Sequence, residues 1–310
     1  MAEYSNMKGI AVFFKPQGWT SFDVVNFLKR KLNEKDIGHG GSLDPMAQGV
    51  LIVGIGRNAT KALSHILKNS KKEYIAEIQL GQESDTYDIT GKIQKNQISK
   101  FPALPEIQQA LEEFKGKIKQ TPPRFSAIKI SGVPAYKMAR NNEEFDIPSK
   151  EVELFECEIL DYKSGILKMR LVVSSGFYIR SLAHDLGQKL KTGGVLYSLL
   201  RTKVDRFDIN EAIDIKTFPD SNLEIYFKAS GTVQGIGFRN YARMIAKRLH
   251  ITGKAENIEK DFIEIIGQGQ LKDLQKFLDK ISNGPPLSTI KNQFFYFRKP
   301  QTAYTEFKKY

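Results

Sequence analysis

Gly38-His39-Gly40-Gly41-Ser42-Leu43-Asp44-Pro45-Met46-Ala47-Gln48-Gly49 is the densest motif of the chain. Its glycines admit left-handed backbone and let a ligand approach the main chain closely. Pro45 stiffens the backbone next to Asp44. A carboxylate on such a loop reaches a reacting atom as nucleophile or base. Taken alone, Leu43-Asp44-Pro45 reads more simply as a tight loop whose aspartate caps a turn. Upstream, Gly9 to Phe14 reads as a short buried strand ending at Lys15-Pro16. A helix follows to about Leu32, with Ser21 as its cap and Phe22, Val25, Phe27, Leu28 and Leu32 as its apolar set. Residues 37–50 read as irregular, and Val50 to Ile55 as another apolar strand.

Further along, Lys72 to Leu80 alternates, with Tyr74, Ala76, Ile78 and Leu80 on one face. Ile107, Leu111, Phe114 and Ile118 mark an amphipathic helix. Strands are expected near 151–160 and 166–174. Ile179, Leu182, Ala183, Leu186 and Leu190 mark another helix. Mixed strands and helices give an α+β class. The pattern breaks around Phe218-Pro219-Asp220-Ser221-Asn222, where a domain boundary is expected. Beyond it the order is strand 224–230, Gly-rich turn, helix 238–249, strands 251–256 and 262–267, helix 271–281 and strand 293–298. That is β-α-β-β-α-β, a ferredoxin-like arrangement. The division is therefore 1–220, a mixed-sheet domain, 221–300, a ferredoxin-like domain, and 301–310, a loosely held tail.

The 310 residues suffice for two domains. No run of about 18 apolar residues exists, so no membrane span is expected. The first residues lack an apolar signal core, and a cytoplasmic protein is the default. Cys157 is the sole cysteine, which excludes an intrachain disulfide and a Cys-rich zinc site. His39, His65, His184 and His250 show no short metal-ligand spacing, so no metal is expected. Net charge is +12, of which residues 221–310 carry +7 from 15 basic and 8 acidic side chains. Lys and Arg in excess suit a polyanionic partner, because they displace counterions condensed on phosphates. Charge alone does not choose among RNA, a membrane surface and a small phosphate.

The pattern Gly-His-x-Gly-x-Leu-Asp-Pro-x-Ala-x-Gly resembles the catalytic motif of the TruB family of tRNA pseudouridine synthases, and every motif position is filled. The resemblance covers roughly residues 8–215. Lys15-Pro16-Gln17-Gly18-Trp19-Thr20-Ser21, Lys72-Glu73-Tyr74, Gly81 to Gly91, Pro122 to Arg140 and Gly176 to Leu182 are similar to further family segments, the fourth to an RNA-clamping insertion. The resemblance implies that Asp44 is the catalytic carboxylate and that Arg180 pairs with it, favouring its ionised form. It implies a stacking role for Tyr74, a second pocket aromatic in Tyr178, a nucleotide-holding role for His39 and a pocket wall at Leu200. Lys15, Arg124 and Lys129 are candidate phosphate contacts. The implied reaction, uridine to pseudouridine in the T-loop of tRNA, oxidises nothing and transfers no phosphate, so no cofactor is expected.

Ser230-Gly231-Thr232-Val233-Gln234-Gly235-Ile236-Gly237-Phe238-Arg239 links a strand to a helix. Backbone N–H groups at Gly235 and Gly237, with the helix N-terminus, would form an anion-binding nest. Residues 223–298 resemble a complete acylphosphatase domain, and this turn is close to that family's signature. The resemblance implies that Arg239 holds an acyl phosphate and that Asn257 orients the attacking water. One departure stands out: the usual Asn-x-x-Asp-Gly turn is Asn257-Ile258-Glu259-Lys260-Asp261-Phe262 here, without its glycine. No obligatory protein partner is implied. The alternative is an RNA-binding or tRNA-folding protein whose C-terminal domain is a non-catalytic interaction module.

Overall fold

The computed structural model describes residues 7–310. The chain begins with β1 (Gly9–Lys15), α1 (Ser21–Leu32), β2 (Ile37–Gly40), β3 (Gln48–Ile55) and α2 (Arg57–Ile66). Next come β4 (Lys72–Leu80), β5 (Gln82–Ser84), β6 (Ile93–Lys95), α3 (Leu104–Glu112), β7 (Gly116–Gln120), β8 (Lys129–Ile130), β9 (Val133–Pro134) and α4 (Ala135–Arg140). They are followed by β10 (Lys150–Lys163), β11 (Ile166–Val173), α5 (Ile179–Lys189) and β12 (Gly194–Val204). The last stretch holds β13 (Phe207–Asp208), β14 (Ile213–Asp214), β15 (Leu223–Thr232), α6 (Phe238–Arg248), β16 (Thr252–Glu259), β17 (Phe262–Gly269), α7 (Leu271–Asn283), β18 (Thr289–Arg298) and β19 (Phe307–Lys309).

These elements form two compact units, one of the residues up to Leu67 with Arg206–Tyr310, the other of Lys68–Asp205. In the first, strands run in the order β19-β16-β17-β15-β18-β1-β3, with β2 on β3 and β14 on β1. The four strands β16-β17-β15-β18 with α6 and α7 are the expected ferredoxin-like β-α-β-β-α-β unit. That sheet does not end at β18. Strand β1 continues it in parallel, with Ile10 opposite Tyr296 and Ala11 opposite Phe297. One apolar cluster accordingly joins Phe13, Leu28 and Leu51 to Phe218, Ile225 and Phe277.

Buried ionic groups reinforce this join. Arg298 on β18 reaches Glu224 at 2.6 Å and also pairs with Glu211. Tyr296 Oη donates to Glu211 at 3.0 Å, and Gln268 Nε2 donates to Glu224 at 2.6 Å. Glu211, Glu224 and Tyr296 are all buried. A buried carboxylate is tolerated when it is paired and hydrogen-bonded, as both are here.

The second unit is an antiparallel sheet in the order β12-β4-β11-β10-β7. Strand β4 alternates as expected, with Tyr74, Ala76, Ile78 and Leu80 buried. Helix α5 packs on β12 in this unit.

Four expectations are corrected. Thr20, not Ser21, caps α1: its hydroxyl accepts from Asp23 N while the Asp23 carboxylate accepts from Thr20 N, a capping box. The helix expected through Ile118 stops at Glu112; Gly116 takes φ +76° and Ile118 lies on β7. The stretch 37–50 is not wholly irregular, because β2 pairs antiparallel with β3. The tail is not loose: β19 pairs in parallel with β16, and Phe307 buries its ring beside Phe277 at 5.8 Å. Phe307, flanked by Glu306, Lys308 and Lys309, gives no periodicity to read, yet it anchors the tail. Among the described residues, no helix is long and apolar enough to cross a membrane.

Candidate functional site

In the first unit the loop between β2 and β3 is held on both sides of Asp44. Ser21, the first residue of α1, brackets Leu43: its Oγ accepts from Leu43 N at 2.9 Å and donates to Leu43 O at 3.3 Å. Gly18 N donates to Pro45 O at 2.8 Å, and Ala47 N donates to Asp44 O at 3.1 Å. Leu43, Met46 and Ala47 are buried, while Asp44 itself is partly exposed. The Gly-rich composition therefore conceals a fixed turn. Asp44 is presented by a backbone whose polar groups are bonded and whose apolar neighbours are packed. His39 sits on β2 opposite Val53.

Lys15 is corrected as a phosphate contact. It is fully buried at the end of β1, and its ammonium donates to Pro16 O at 3.0 Å and Trp19 O at 2.5 Å. It holds the turn that leads to Gly18 and Ser21, the two residues that bond either side of Asp44. Arg124 Nη2 donates to Glu143 O at 2.7 Å and stacks over Phe145, while Lys129 is exposed on β8.

In the second unit, Arg180 is the second residue of α5 and is buried. Its Nη1 and Nη2 donate to Thr86 O and Phe125 O, each at 3.1 Å, and its Nε lies 3.7 Å from Asp88 Oδ2. Asp88 is itself bonded, its Oδ1 accepting from Thr86 Oγ1 at 2.8 Å and Thr90 N at 2.9 Å. The segment Gly81 to Gly91 is thus a bonded loop that grips a guanidinium. Tyr178, at the head of α5, is clamped through its backbone by the buried Gln120: its N–H donates to Oε1 at 2.8 Å and its carbonyl accepts from Nε2 at 3.0 Å. Tyr74 on β4 is opposite Leu171 on one side and Arg201 on the other, and its ring is buried. Leu200 lies on β12 opposite Ile75. The second unit brings Tyr74, Tyr178, Arg180 and Leu200 onto β4, α5 and β12; Asp44, His39 and Lys15 belong to the first.

The turn from β15 to α6, also in the first unit, has the conformation an anion nest needs. Gly235 and Gly237 take φ of +72° and +79°, and a Cβ at either would meet open space. Arg239 stands at the first turn of α6, and its Nη1 donates to the main-chain oxygen of Tyr310. Asn257 is on β16, opposite Ile263, beside a bulge. Its Oδ1 is buried and accepts no hydrogen bond from the described residues. The missing glycine after Asn257 is compensated locally: Asp261 takes φ +65°, the conformation the glycine would have supplied. Asp adopts it more readily than most residues.

Residues 29–179 match the family model for the TruB family pseudouridylate synthase (N terminal domain). The tRNA pseudouridine synthase B of Ureaplasma urealyticum serovar 10 is 46% identical over 220 residues, covering 70% of this chain and 95% of that protein. The chain belongs to the tRNA pseudouridine synthase B family. The Clostridium acetobutylicum member is 40% identical over 218 residues, covering 70% of this chain and 74% of its own. A chain of a Cbf5-Nop10-Gar1 complex shares the fold, with a TM-score of 0.53 at 21% identity over 92% of this chain and 84% of that one. Residues 225–309 match the acylphosphatase family model, whose span includes β19.

Within this tRNA pseudouridine synthase B member, sequence reading missed Ser21, Gln120 and Asp88 as positioning residues. A serine before an apolar run usually caps a helix, so the local sequence gives Ser21 no link to Leu43. Gln120 stands just before Thr121-Pro122-Pro123, and a polar residue closing a strand there gives no local sign of burial. Asp88 lies in the segment Gly81 to Gly91, but its ion pair with Arg180 joins residues far apart in sequence.

Proposed function

We propose that the protein isomerises uridine to pseudouridine in the T-loop of tRNA, with Asp44 as catalytic carboxylate. The observation that carries this reading is the 46% identity to a tRNA pseudouridine synthase B over 95% of that protein's length. The fixed turn under Asp44 supports it. The reaction breaks the C1′–N1 bond, turns the base and joins C5 to C1′; the C5 proton is lost and N1 gains one. Asp44 either adds to C1′ or removes a C2′ proton. The uridine leaves its stack first. Tyr74 stacks on the base, an interaction of roughly 1–3 kcal/mol. Tyr178 and Leu200 line the pocket, His39 holds the everted nucleotide, and Arg180 is the charge partner of Asp44. Unmodified tRNA incubated with the protein will carry pseudouridine in its T-loop; a T-loop left unmodified contradicts the reading.

The proposed second activity is acyl-phosphate hydrolysis by residues 221–300. Supporting it are the open, left-handed Gly235 and Gly237 and the buried Asn257 Oδ1, which suits an acceptor for a hydrogen of the attacking water. Leaving such an acceptor unmatched costs about 1–3 kcal/mol. Arg239 has five N–H donors, so its contact with Tyr310 leaves donors for a phosphate. Hydrolysis of an acyl phosphate to carboxylate and phosphate will disappear in Arg239→Ala. A wild type that hydrolyses none makes the domain an interaction module.

A further inference from the structure

We infer that the outer face of α6 is a second RNA-binding surface, one that holds the sugar-phosphate backbone of the same tRNA whose uridine is modified. The inference rests on the proposed RNA substrate and adds to it a place where the C-terminal domain takes hold.

Helix α6 turns Phe238, Ala242, Ile245 and Ala246 inward and leaves Asn240, Arg243, Met244, Lys247 and Arg248 exposed. It carries four bases and no acid. Arg239, Arg243 and Lys247 recur every fourth residue, so they form one stripe, with successive members about 6 Å apart along the axis. Arg248 widens its far end. Lys309 of β19 joins it laterally, its Nζ donating to Asn240 Oδ1 at 2.8 Å. The stripe starts at the positive end of the helix dipole, beside the open Gly235 and Gly237.

The charge of this stripe is not balanced by neighbouring carboxylates. Among the described residues, Arg243, Lys247 and Arg248 take part in no ion pair. Arg170 and Lys254 show the opposite arrangement, Arg170 meeting Glu73, Glu156 and Glu158, and Lys254 meeting Glu256 and Glu264. Like charges four apart on a helix repel each other. The stripe therefore works against the helix that bears it and suits a polyanion outside the fold. A bilayer would be met by a helix with a broad apolar face between its bases. On α6 the one large apolar side chain left exposed is Met244, and Phe238 is buried. A row of bases without an apolar wedge suits phosphates held in line on a nucleic-acid backbone.

The test uses the full chain, wild type and Arg243→Ala/Lys247→Ala/Arg248→Ala, with an unmodified tRNA transcript. Affinity is measured over a range of KCl, and the single-turnover rate of pseudouridine formation at saturating tRNA. All three side chains are exposed, so the fold should hold; a glutamine triple variant, which keeps long side chains and helix propensity, serves if it does not. We expect tRNA affinity to fall about tenfold or more near 150 mM salt, and the slope of log affinity against log salt to shrink by about 2 to 3. The saturated rate stays within about twofold. Unchanged affinity and slope overturn the inference while leaving the synthase reading intact. So does loss of binding to phosphatidylserine–phosphatidylcholine vesicles with tRNA affinity preserved, which would assign the stripe to a membrane. A wild type that binds tRNA through the stripe yet forms no pseudouridine instead refutes the synthase reading alone.

Discussion

Ser21 shows how a single hydroxyl fixes the loop that carries Asp44. Both main-chain groups of Leu43 are satisfied by this one buried side chain, one residue before Asp44. Ser21→Ala leaves a buried N–H and C=O unmatched, which costs about 1–3 kcal/mol. We expect a stability loss of that size in urea denaturation and about a tenfold slower turnover, because a carboxylate displaced by a fraction of an ångström loses its alignment. Lys72, two residues before Tyr74, carries a different signal. Burial, with the nearby Arg201 charge, lowers its pKa from 10.5 to about 8. The unfolded chain then holds more protons than the folded one between about pH 8 and 10.5. Stability should therefore rise across that window, by up to about 3 kcal/mol, and be least where both states are protonated, below pH 8. Urea denaturation at pH 7 and pH 10 will show this rise in wild type; Lys72→Met will lack it.

At the scale of elements, strong periodicity was legible and interruption was not. Strand β4 and helix α5 fall where alternation and 3.6-residue spacing put them, and so do all six elements of the ferredoxin-like unit. Ile118 misled because it keeps helical phase with Ile107, Leu111 and Phe114 across Gly116, although the backbone has already turned into β7. The candidate site was legible as residue types, through motif spacing. Its supports were not: Gln120 under Tyr178 and Asp88 beside Arg180 act through contacts distant in sequence. The tail strand β19 depends on one side chain. Phe307→Ala removes a buried ring packed on Phe277 and should cost about 3 kcal/mol. Hydrogen exchange will then show residues 307–310 unprotected; retained protection means that the strand pairing, not the ring, holds the tail.

At the scale of the molecule, the two sequence regions of the first unit are joined by a shared sheet and a shared core. Parallel pairing of β1 with β18 has no local signature, since neither strand encodes its partner. Arg298 holds Glu211 and Glu224 on either side of the expected domain boundary. Arg298→Met strands two buried carboxylates, which costs about 3–5 kcal/mol. Trp19 is the sole tryptophan and lies in the N-terminal region, so its fluorescence reports a part remote in sequence from the substitution. We expect the Trp19 transition to shift to lower urea in Arg298→Met. A transition that does not move means that the two regions unfold independently.

Asp44 is the residue on which the functional reading turns. The most direct measurement maps pseudouridine in unmodified tRNA after incubation with wild type and with Asp44→Asn, a variant of nearly the same size and shape, at equal concentrations and with equal urea midpoints. We expect T-loop pseudouridine from wild type and none from Asp44→Asn. Equal product from both proteins would contradict the assignment of Asp44 as the catalytic carboxylate.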